Sequence, residues 1–196
     1  MKTALDCIPC LLRQALDAAR MATADSGLHE RLIRGVLAEA SQIDYRKAPP
    51  VIAQRIHRRL REISGVDDPY RDAKARFNRM ALEIYPELEA RVSAAADPFA
   101  MAVRMAIAGN IIDLGVNGAL TEDEACGAID GVLCEPFVGE IAALGEAAGK
   151  AGTILYLADN AGETVFDRIL IEAISAPVTY AVKSGPILND ATVVDA

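Results

Sequence analysis

The sequence predicts an α/β fold, in which a largely helical N-terminal region precedes a β-α-β portion of a parallel, helix-covered sheet. Two observations support this prediction. Apolar residues recur every three or four positions over most of residues 1–150, which is typical of amphipathic helices. After Gly152, two short apolar runs flank one further helical pattern, as expected for two parallel strands joined by a crossover helix.

The helices of the N-terminal region are predicted from apolar spacing and from capping residues. Two helices carry apolar residues at helical spacing: Leu28, Leu32, Val36 and Ala40 in one, and Ile52, Ile56, Leu60 and Ile63 in the other. Asp68 and Asp97 each precede a proline, an arrangement that caps a helix and opens its first turn. Thr121 and Glu124 form a capping box, and Pro136 begins the last helix of this region.

The second part of the chain contains the predicted strands, over residues 153–158 and 178–182, with a helix over residues 163–175 between them. The first run is almost continuously apolar, which is typical of a strand buried on both faces. Two parallel strands cannot bury both faces of a sheet by themselves. We therefore expect either that the chain is the front part of a longer protein or that a second subunit, in a homo-oligomer, completes the sheet. The predicted domains are a helical region over residues 1–150 and the incomplete start of an α/β metal-binding domain over residues 151–196, truncated at its C-terminus.

Composition excludes several classes of protein. The chain has 196 residues, of which 52% are apolar and 24% charged, unlike a disordered or collagen-like chain. Its 28 acidic and 20 basic residues give a net charge of -8, which argues against nucleic acid and anionic membranes as partners. No apolar run approaches the roughly 20 residues of a membrane helix, and the N-terminus lacks the apolar core of a secretion signal. We predict a cytoplasmic protein.

Acidic and amide side chains follow both predicted strands. Asp159 and Asn160 follow the first strand, and Asn189 and Asp190 come shortly after the second. Because ligands of open parallel sheets bind beyond the carboxyl ends of the strands, these side chains are expected to converge. Carboxylate and amide oxygens suit Mg²⁺ or Mn²⁺, so the pattern favours a divalent-metal site. The alternative is that Asp159 and Asn160 only form a turn and cap a helix.

An anion site is predicted beside these residues. Gly162 permits close backbone approach, and the free N–H groups of the following helix can bind a phosphate. Lys183 can supply a positive charge to the same phosphate, although a lone lysine is more commonly a solvated surface residue. Glu163 is either a proton carrier or a first-turn carboxylate favoured by the helix dipole.

Asn110 and Asp113 interrupt an otherwise apolar helical stretch and share one helix face. Buried polar groups are costly unless they are satisfied. These two residues therefore either line a ligand cleft against the sheet or cap helix ends across an internal contact.

The cysteines and histidines carry weaker signals. Cys7 and Cys10 form a CxxC pair around the first turn of the opening helix, which suits a redox pair, half of a zinc site or two ordinary buried thiols. No second closely spaced cysteine pair accompanies it in the sequence. His29 and His57 lie in helical, charge-flanked stretches and are predicted to be surface residues.

Four segments together resemble the ARMT-like damage-control phosphatase family, formerly a domain of unknown function. They are CIPC at residues 7–10, AGNIID at 108–113, DNAGE at 159–163 and KSGPILNDAT at 183–192, and they span the chain in the family's order. The CIPC segment resembles the prokaryotic branch that carries an N-terminal CxxC. The resemblance implies a helical region beside an α/β domain, a metal-dependent phosphatase activity, and Asp159, Asn160 and Asp190 as metal ligands. Family members continue past the last segment into further strands and helices, which contribute phosphate-binding groups, including a lysine, that this sequence lacks.

The predicted function is hydrolysis of small phosphorylated metabolites, such as sugar phosphates, at an Mn²⁺ or Mg²⁺ site, with Asp159 and Asp190 as catalytic residues. The predicted substrate-binding residues are Asn110, Asp113, Gly162, Glu163, Lys183 and Asn189. Attack by water and attack by Asp159 through an aspartyl-phosphate both remain open. The main alternative is a protein that binds a phosphorylated or nucleotide-like ligand without transforming it, and a cysteine-based zinc or redox module is a third hypothesis.

Overall fold

The computed structural model describes residues 2–112 and 122–196. The described residues form eight helices and two strands, which confirms the predicted α/β class. In chain order they are α1 (Cys7–Ala22), α2 (Ser26–Ala40), α3 (Pro49–Ser64), α4 (Arg71–Ala94), α5 (Pro98–Ile112), α6 (Glu122–Cys134), α7 (Ile141–Lys150), β1 (Ile154–Leu157), α8 (Glu163–Glu172) and β2 (Val178–Ala181). Within these ranges, no helix is both long enough and apolar enough to span a bilayer.

The described residues group into two compact units. The first unit extends to Asp72 and includes Pro186–Leu188, and the second consists of Ala73–Gly185 and Asn189–Ala196. The predicted division near residue 150 follows a different feature, the change from helices to strands along the chain, and it stays a prediction.

The first unit is a helical layer in which α1, α2 and α3 pack against one another. Its apolar core consists of Leu11, Ala15, Val36, Ile52, Ala53 and Ile56. Asp25 caps α2, since its Oδ1 accepts a hydrogen bond from the Gly27 N–H at 2.8 Å. Gly65, at a φ of 71°, ends α3 in the left-handed conformation that glycine adopts readily.

His57 lies inside this first unit. Its exposed fraction is only 3%, so the prediction of a surface histidine is wrong. The neighbouring Arg58 and Arg59 are exposed, whereas Ile56 and His57 occupy the buried face of the same helix. The charged neighbours therefore lie on the opposite, exposed face of α3, and helical periodicity places His57 on the buried face.

The second unit has a core formed by α4, α5, α6 and α8. Gly109 of α5 lies so close to α8 that a Cβ atom there would come within 2.7 Å of Phe166 Cβ. Asp97 begins α5 as predicted, because its Oδ1 accepts a hydrogen bond from the Ala100 N–H at 2.9 Å. The close approach of α5 to α8 brings Asn110 to the N-terminal end of α8.

Two predicted helix starts have different outcomes. The helix predicted to begin at Pro136 begins five residues later, as α7 at Ile141. Gly139 has a φ of 139°, which lies outside the helical region and interrupts any helix from Pro136. Thr121, the predicted N-cap of α6, lies outside the described residues.

The sheet contains the two predicted strands in parallel, with Ile154 opposite Val178 and Leu157 opposite Ala181. Tyr156 packs against the core of the second unit. Leu155 and Leu157 are 64% and 71% exposed, so the expectation of a strand buried on both faces is not met within the described residues. Alternation of exposed and partly buried residues along β1 instead marks one covered face and one open face.

Candidate active site

The loops that follow β1 and β2 are joined by backbone hydrogen bonds. Asn160 and Asp190 form an antiparallel bridge. The Ala191 N–H donates to the Asp159 carbonyl at 2.7 Å, and the Ala161 N–H donates to the Asn189 carbonyl at 2.9 Å. The structure therefore brings Asp159 and Asn160 together with Asn189 and Asp190, at the carboxyl edge of the sheet where ligands of such folds bind.

Asp190 is the more buried of the two acidic residues at this edge. Its side chain is 16% exposed, and its Oδ2 lies 3.4 Å from Lys183 Nζ. Burial raises the pKa of Asp190, the negative charge of Asp159 raises it further, and Lys183 opposes both effects. Asp159 is exposed. The two carboxylates thus interact electrostatically, and a bound cation would relieve their repulsion.

Glu163, the first residue of α8, links Asn110 to Asn160. Its Oε2 accepts hydrogen bonds from Asn110 Nδ2 at 3.1 Å and from Asn160 Nδ2 at 3.3 Å. Burial raises the pKa of Glu163, the bond from Asn110 lowers it, and Asp167 and Asp159 raise it again. Because the amide nitrogen of Asn160 is bound to Glu163, its carbonyl oxygen is directed away from that carboxylate.

Gly162 precedes α8 in a conformation that suits glycine. Its φ is 79°, and a Cβ atom there would lie 3.0 Å from Phe77 Cβ. Its N–H donates to Asn78 Oδ1 at 2.6 Å. The N–H of Gly162 is therefore engaged within the protein, and the predicted phosphate contact falls to the N–H groups that follow it in the first turn of α8.

Lys183 follows β2 and is half-exposed. Its N–H donates to the Ala191 carbonyl at 2.9 Å, which fixes the backbone, while its ammonium group extends toward Asp190. Leu188, just before Asn189, has a φ of 50°, a left-handed conformation uncommon for a branched residue. Such backbone strain occurs most often at functional sites.

Three residues of this region are absent from the predictions made from sequence: Lys74, Asn78 and Asp195. The ammonium of Lys74 and the carboxylate of Asp195 form a buried ion pair at 3.1 Å, and Asn78 donates to the same carboxylate at 3.2 Å. The only sequence signal for them is the spacing of Lys74 and Asn78, four residues apart on a face of α4 that is otherwise apolar, with Phe77 and Ala81.

Two other predicted sites are not placed here. Asp113 lies outside the described residues. Cys7 and Cys10 belong to the first unit, where Cys7 is partly buried, Cys10 is exposed and both are free thiols. The redox or zinc role of this pair stays a prediction.

The donors at the sheet edge are hard oxygen atoms. Among the described residues, no three His, Cys, Asp or Glu side chains group as ligands of one metal ion. A cation here would rely on the carboxylates of Asp159 and Asp190 and the amide oxygen of Asn160, with water or phosphate oxygens completing its shell. This donor set fits Mg²⁺ or Mn²⁺, which bind through one or two carboxylates and keep several waters.

Comparisons with known proteins all indicate the same family. The sequence model of the family of damage-control phosphatase ARMT1-like domains matches residues 3–196. A protein of Archaeoglobus fulgidus named damage-control phosphatase is 34% identical over 202 residues, covering 100% of this chain and 69% of the relative. A damage-control phosphatase of Pyrococcus horikoshii is 32% identical over 201 residues, covering 100% of this chain and 68% of the relative.

A solved structure has the same fold. The crystal structure of a DUF89 family protein from Pyrococcus horikoshii superposes with a TM-score of 0.88 at 30% sequence identity. The superposition covers 100% of this chain and 69% of that chain. The similarity therefore includes the helical elements as well as the sheet edge described above.

Proposed function

Because this chain belongs to the family of damage-control phosphatase ARMT1-like domains, we propose that it hydrolyses phosphomonoesters of small damaged metabolites at a divalent-metal site. The observation that carries the proposal is the bridge between Asn160 and Asp190. It joins the two loops that hold the acidic and amide oxygens, beside the Lys183 ammonium. Oxygen donors for a cation and a positive charge for a phosphate are thereby combined at one edge of the sheet.

Asp159, Asn160 and Asp190 would hold Mn²⁺ or Mg²⁺. Such an ion, when bound, neutralises charge on phosphate oxygens and lowers the pKa of a bound water. The protein's own contribution is to orient these oxygens through the backbone bonds of Asp159 and Asn189. Asn110 and Glu163 fix the amide of Asn160, so that its oxygen remains available as a ligand.

Lys183 and the first turn of α8 would bind the phosphate. The ammonium group supplies a positive charge that offsets charge on the transferring phosphoryl group, and the free N–H groups at the helix start add oriented dipoles. Since Lys183 also lies 3.4 Å from Asp190, its charge is held at the metal-binding edge before a substrate arrives. Sugar phosphates and related small phosphomonoesters are the proposed substrates.

Two routes for the phosphoryl group are open to this geometry. In the first, water attacks phosphorus, the ester P–O bond breaks and the alcohol leaves with a proton. In the second, an oxygen of Asp159 attacks, the same bond breaks, and water then hydrolyses the aspartyl-phosphate. A phosphorylated Asp159 trapped during a single turnover would support the covalent route, and its absence would support direct attack by water. Label from ¹⁸O-water enters phosphate by direct attack and also when water attacks the phosphorus of the aspartyl-phosphate, so trapping of the intermediate is the measurement that separates the two routes.

The test of the proposed function is release of inorganic phosphate from a panel of sugar phosphates, with Mn²⁺ or Mg²⁺ added. We expect turnover by the wild-type chain and loss of turnover in Asp159→Asn and Asp190→Asn. Asp130→Asn is the matched control, because Asp130 is an exposed carboxylate on α6 paired with Arg91. Tight binding of sugar phosphates without turnover would instead support the ligand-binding alternative and contradict the phosphatase proposal.

A further inference from the structure

Asp195 is a buried residue, and both oxygens of its carboxylate accept hydrogen bonds. Its side chain is 5% exposed. Its Oδ2 accepts hydrogen bonds from Lys74 Nζ at 3.1 Å, from the Thr192 N–H at 2.9 Å and from Thr192 Oγ1 at 2.7 Å. Its Oδ1 accepts from Asn78 Nδ2 at 3.2 Å. A buried carboxylate with this many donors is held in one position.

These bonds extend to the loop that carries Asp159 and Asn160. Asn78 receives the Gly162 N–H on its Oδ1 at 2.6 Å and donates its Nδ2 to Asp195. The Asp195 carbonyl also accepts from Thr164 Oγ1 at 3.0 Å. The start of α8 is therefore attached to Asp195 at two points.

The same carboxylate is attached to the loop that carries Asp190. Thr192, two residues after Asp190, donates to Asp195 from both its backbone and its side chain. Thr192 also forms a bridge with Lys183. One carboxylate thus connects the segment after β1 with the segment after β2, in addition to the bridge between Asn160 and Asp190.

The positive charge of Lys74 compensates for burying the negatively charged carboxylate of Asp195. The side chain of Lys74 is 3% exposed. Burial alone would raise the pKa of Asp195, but hydrogen bonds from Thr192 and the charge of Lys74 lower it below its usual value. The carboxylate is therefore ionised at neutral pH and accepts hydrogen bonds at both oxygens.

We infer that Asp195 is a positioning residue, which fixes the distance between the two metal-binding loops through Asn78 on one side and Thr192 on the other. The role builds on the proposed function, because its effect on turnover requires a metal-dependent phosphatase. In metal sites, groups that hold the ligands in place typically change metal affinity or activity by about 10- to 100-fold when they are removed. Asp195 itself is outside the set of proposed ligands.

The hydrogen bond between Asn78 and Asp195 can be tested by exchanging the two side chains, so that the amide donor and the carboxylate acceptor change places. In Asp195→Asn, the introduced amide must turn its NH₂ group either toward Asn78 or toward Lys74 and Thr192, all of which are donors. In Asn78→Asp, the introduced carboxylate keeps an acceptor for the Gly162 N–H but faces the carboxylate of Asp195. In the double variant, the carboxylate at position 78 accepts from both Gly162 and the amide at position 195, whose oxygen again faces Lys74 and Thr192.

We expect each single variant to lower Mn²⁺ affinity, measured by isothermal titration calorimetry, and kcat, each by about 10- to 100-fold. KM should change little, because neither residue contacts the phosphate. Amide hydrogen exchange of Gly162 and Thr192 in the metal-free protein should accelerate in the single variants. The double variant should recover most of all three losses.

Leu88→Ala is the control for lost stability, since Leu88 is a 1% exposed core residue of the same unit. It should lower the melting temperature yet leave Mn²⁺ affinity and kcat unchanged. Single variants with wild-type Mn²⁺ affinity and amide exchange, or a double variant no better than either single one, would overturn the positioning role. If wild-type protein shows no turnover but exchange and Mn²⁺ affinity follow the pattern above, the positioning role stands and the proposed function fails.

Discussion

Tyr156 of β1 lies directly opposite Tyr180 of β2 in the parallel register, with the two ring centroids 5.5 Å apart. Both hydroxyl groups donate to one carboxylate, that of Asp167 on α8, at 2.5 and 2.6 Å. Asp167 is 2% exposed. Burial raises its pKa, and the two tyrosine hydroxyls oppose that effect. A single buried carboxylate therefore ties both strands to the helix that connects them.

Two replacements of Asp167 distinguish the contribution of its hydrogen bonds to stability from the contribution of its charge. Asp167→Ala leaves two tyrosine hydroxyls without their acceptor, so the free energy of unfolding should fall by about 1–3 kcal/mol for each. Asp167→Asn should be much milder, because an amide offers one acceptor and one donor, and a tyrosine hydroxyl can serve as either. Urea denaturation of both variants measures the difference, and equal losses would contradict the assigned hydrogen-bonding role.

The sequence was sufficient to predict the sheet edge for a general reason. Parallel strands end at the same edge, so the residues after them, Asp159 and Asp190, are expected to meet wherever two such strands pair. Local signals also located the start of α5, where Asp97 caps the helix. Both inferences depend on interactions that the chain pattern itself specifies.

Other features depend on packing between distant segments. Lys74 and Asp195 are 121 residues apart in sequence, and nothing local indicates that they form a pair. His57 has exposed arginines beside it, and only the apolar period of α3 indicates that it faces inward. The proline signal at Pro136 predicted a helix start, but the positive φ of Gly139 prevents a helix there. Long-range contacts and single backbone conformations are what the local pattern failed to specify.

Gly109 tests the close packing of α5 against α8. Because an added Cβ would lie 2.7 Å from both Cβ and Cγ of Phe166, Gly109→Ala should lower the free energy of unfolding by about 1–3 kcal/mol. Gly131 of α6 is the matched control, since a Cβ there meets no atom within 4 Å among those described. Gly131→Ala should raise stability by about 0.5–1 kcal/mol, as expected for a helical glycine replaced by alanine. Urea denaturation of the two variants should therefore give changes of opposite sign.

Lys183 should contribute to binding of phosphate more than to folding. Its side chain is 49% exposed, so Lys183→Ala should change stability little, while KM for a sugar phosphate should rise about tenfold, equivalent to ~1.4 kcal/mol. Lys150→Ala is the control, because Lys150 is an exposed lysine on α7 that pairs with Glu146. Steady-state kinetics with Mn²⁺ present gives both constants. An unchanged KM in Lys183→Ala would remove this residue from the phosphate site.

His57 should make the free energy of unfolding depend on pH. Burial, with a smaller effect from the charge of Arg61, lowers its pKa from 6.5 to about 4. Between these two values the unfolded chain binds a proton that the folded protein excludes, so stability is full above pH 6.5 and falls as the pH is lowered. Between pH 7 and pH 5 the loss of unfolding free energy attributable to His57 should be about 2 kcal/mol.

In His57→Leu, the difference in unfolding free energy between these pH values should be smaller than in wild type by that amount, as measured by urea denaturation. Equal pH dependence in wild type and His57→Leu would show that His57 is protonated as readily in the folded protein as in the unfolded chain.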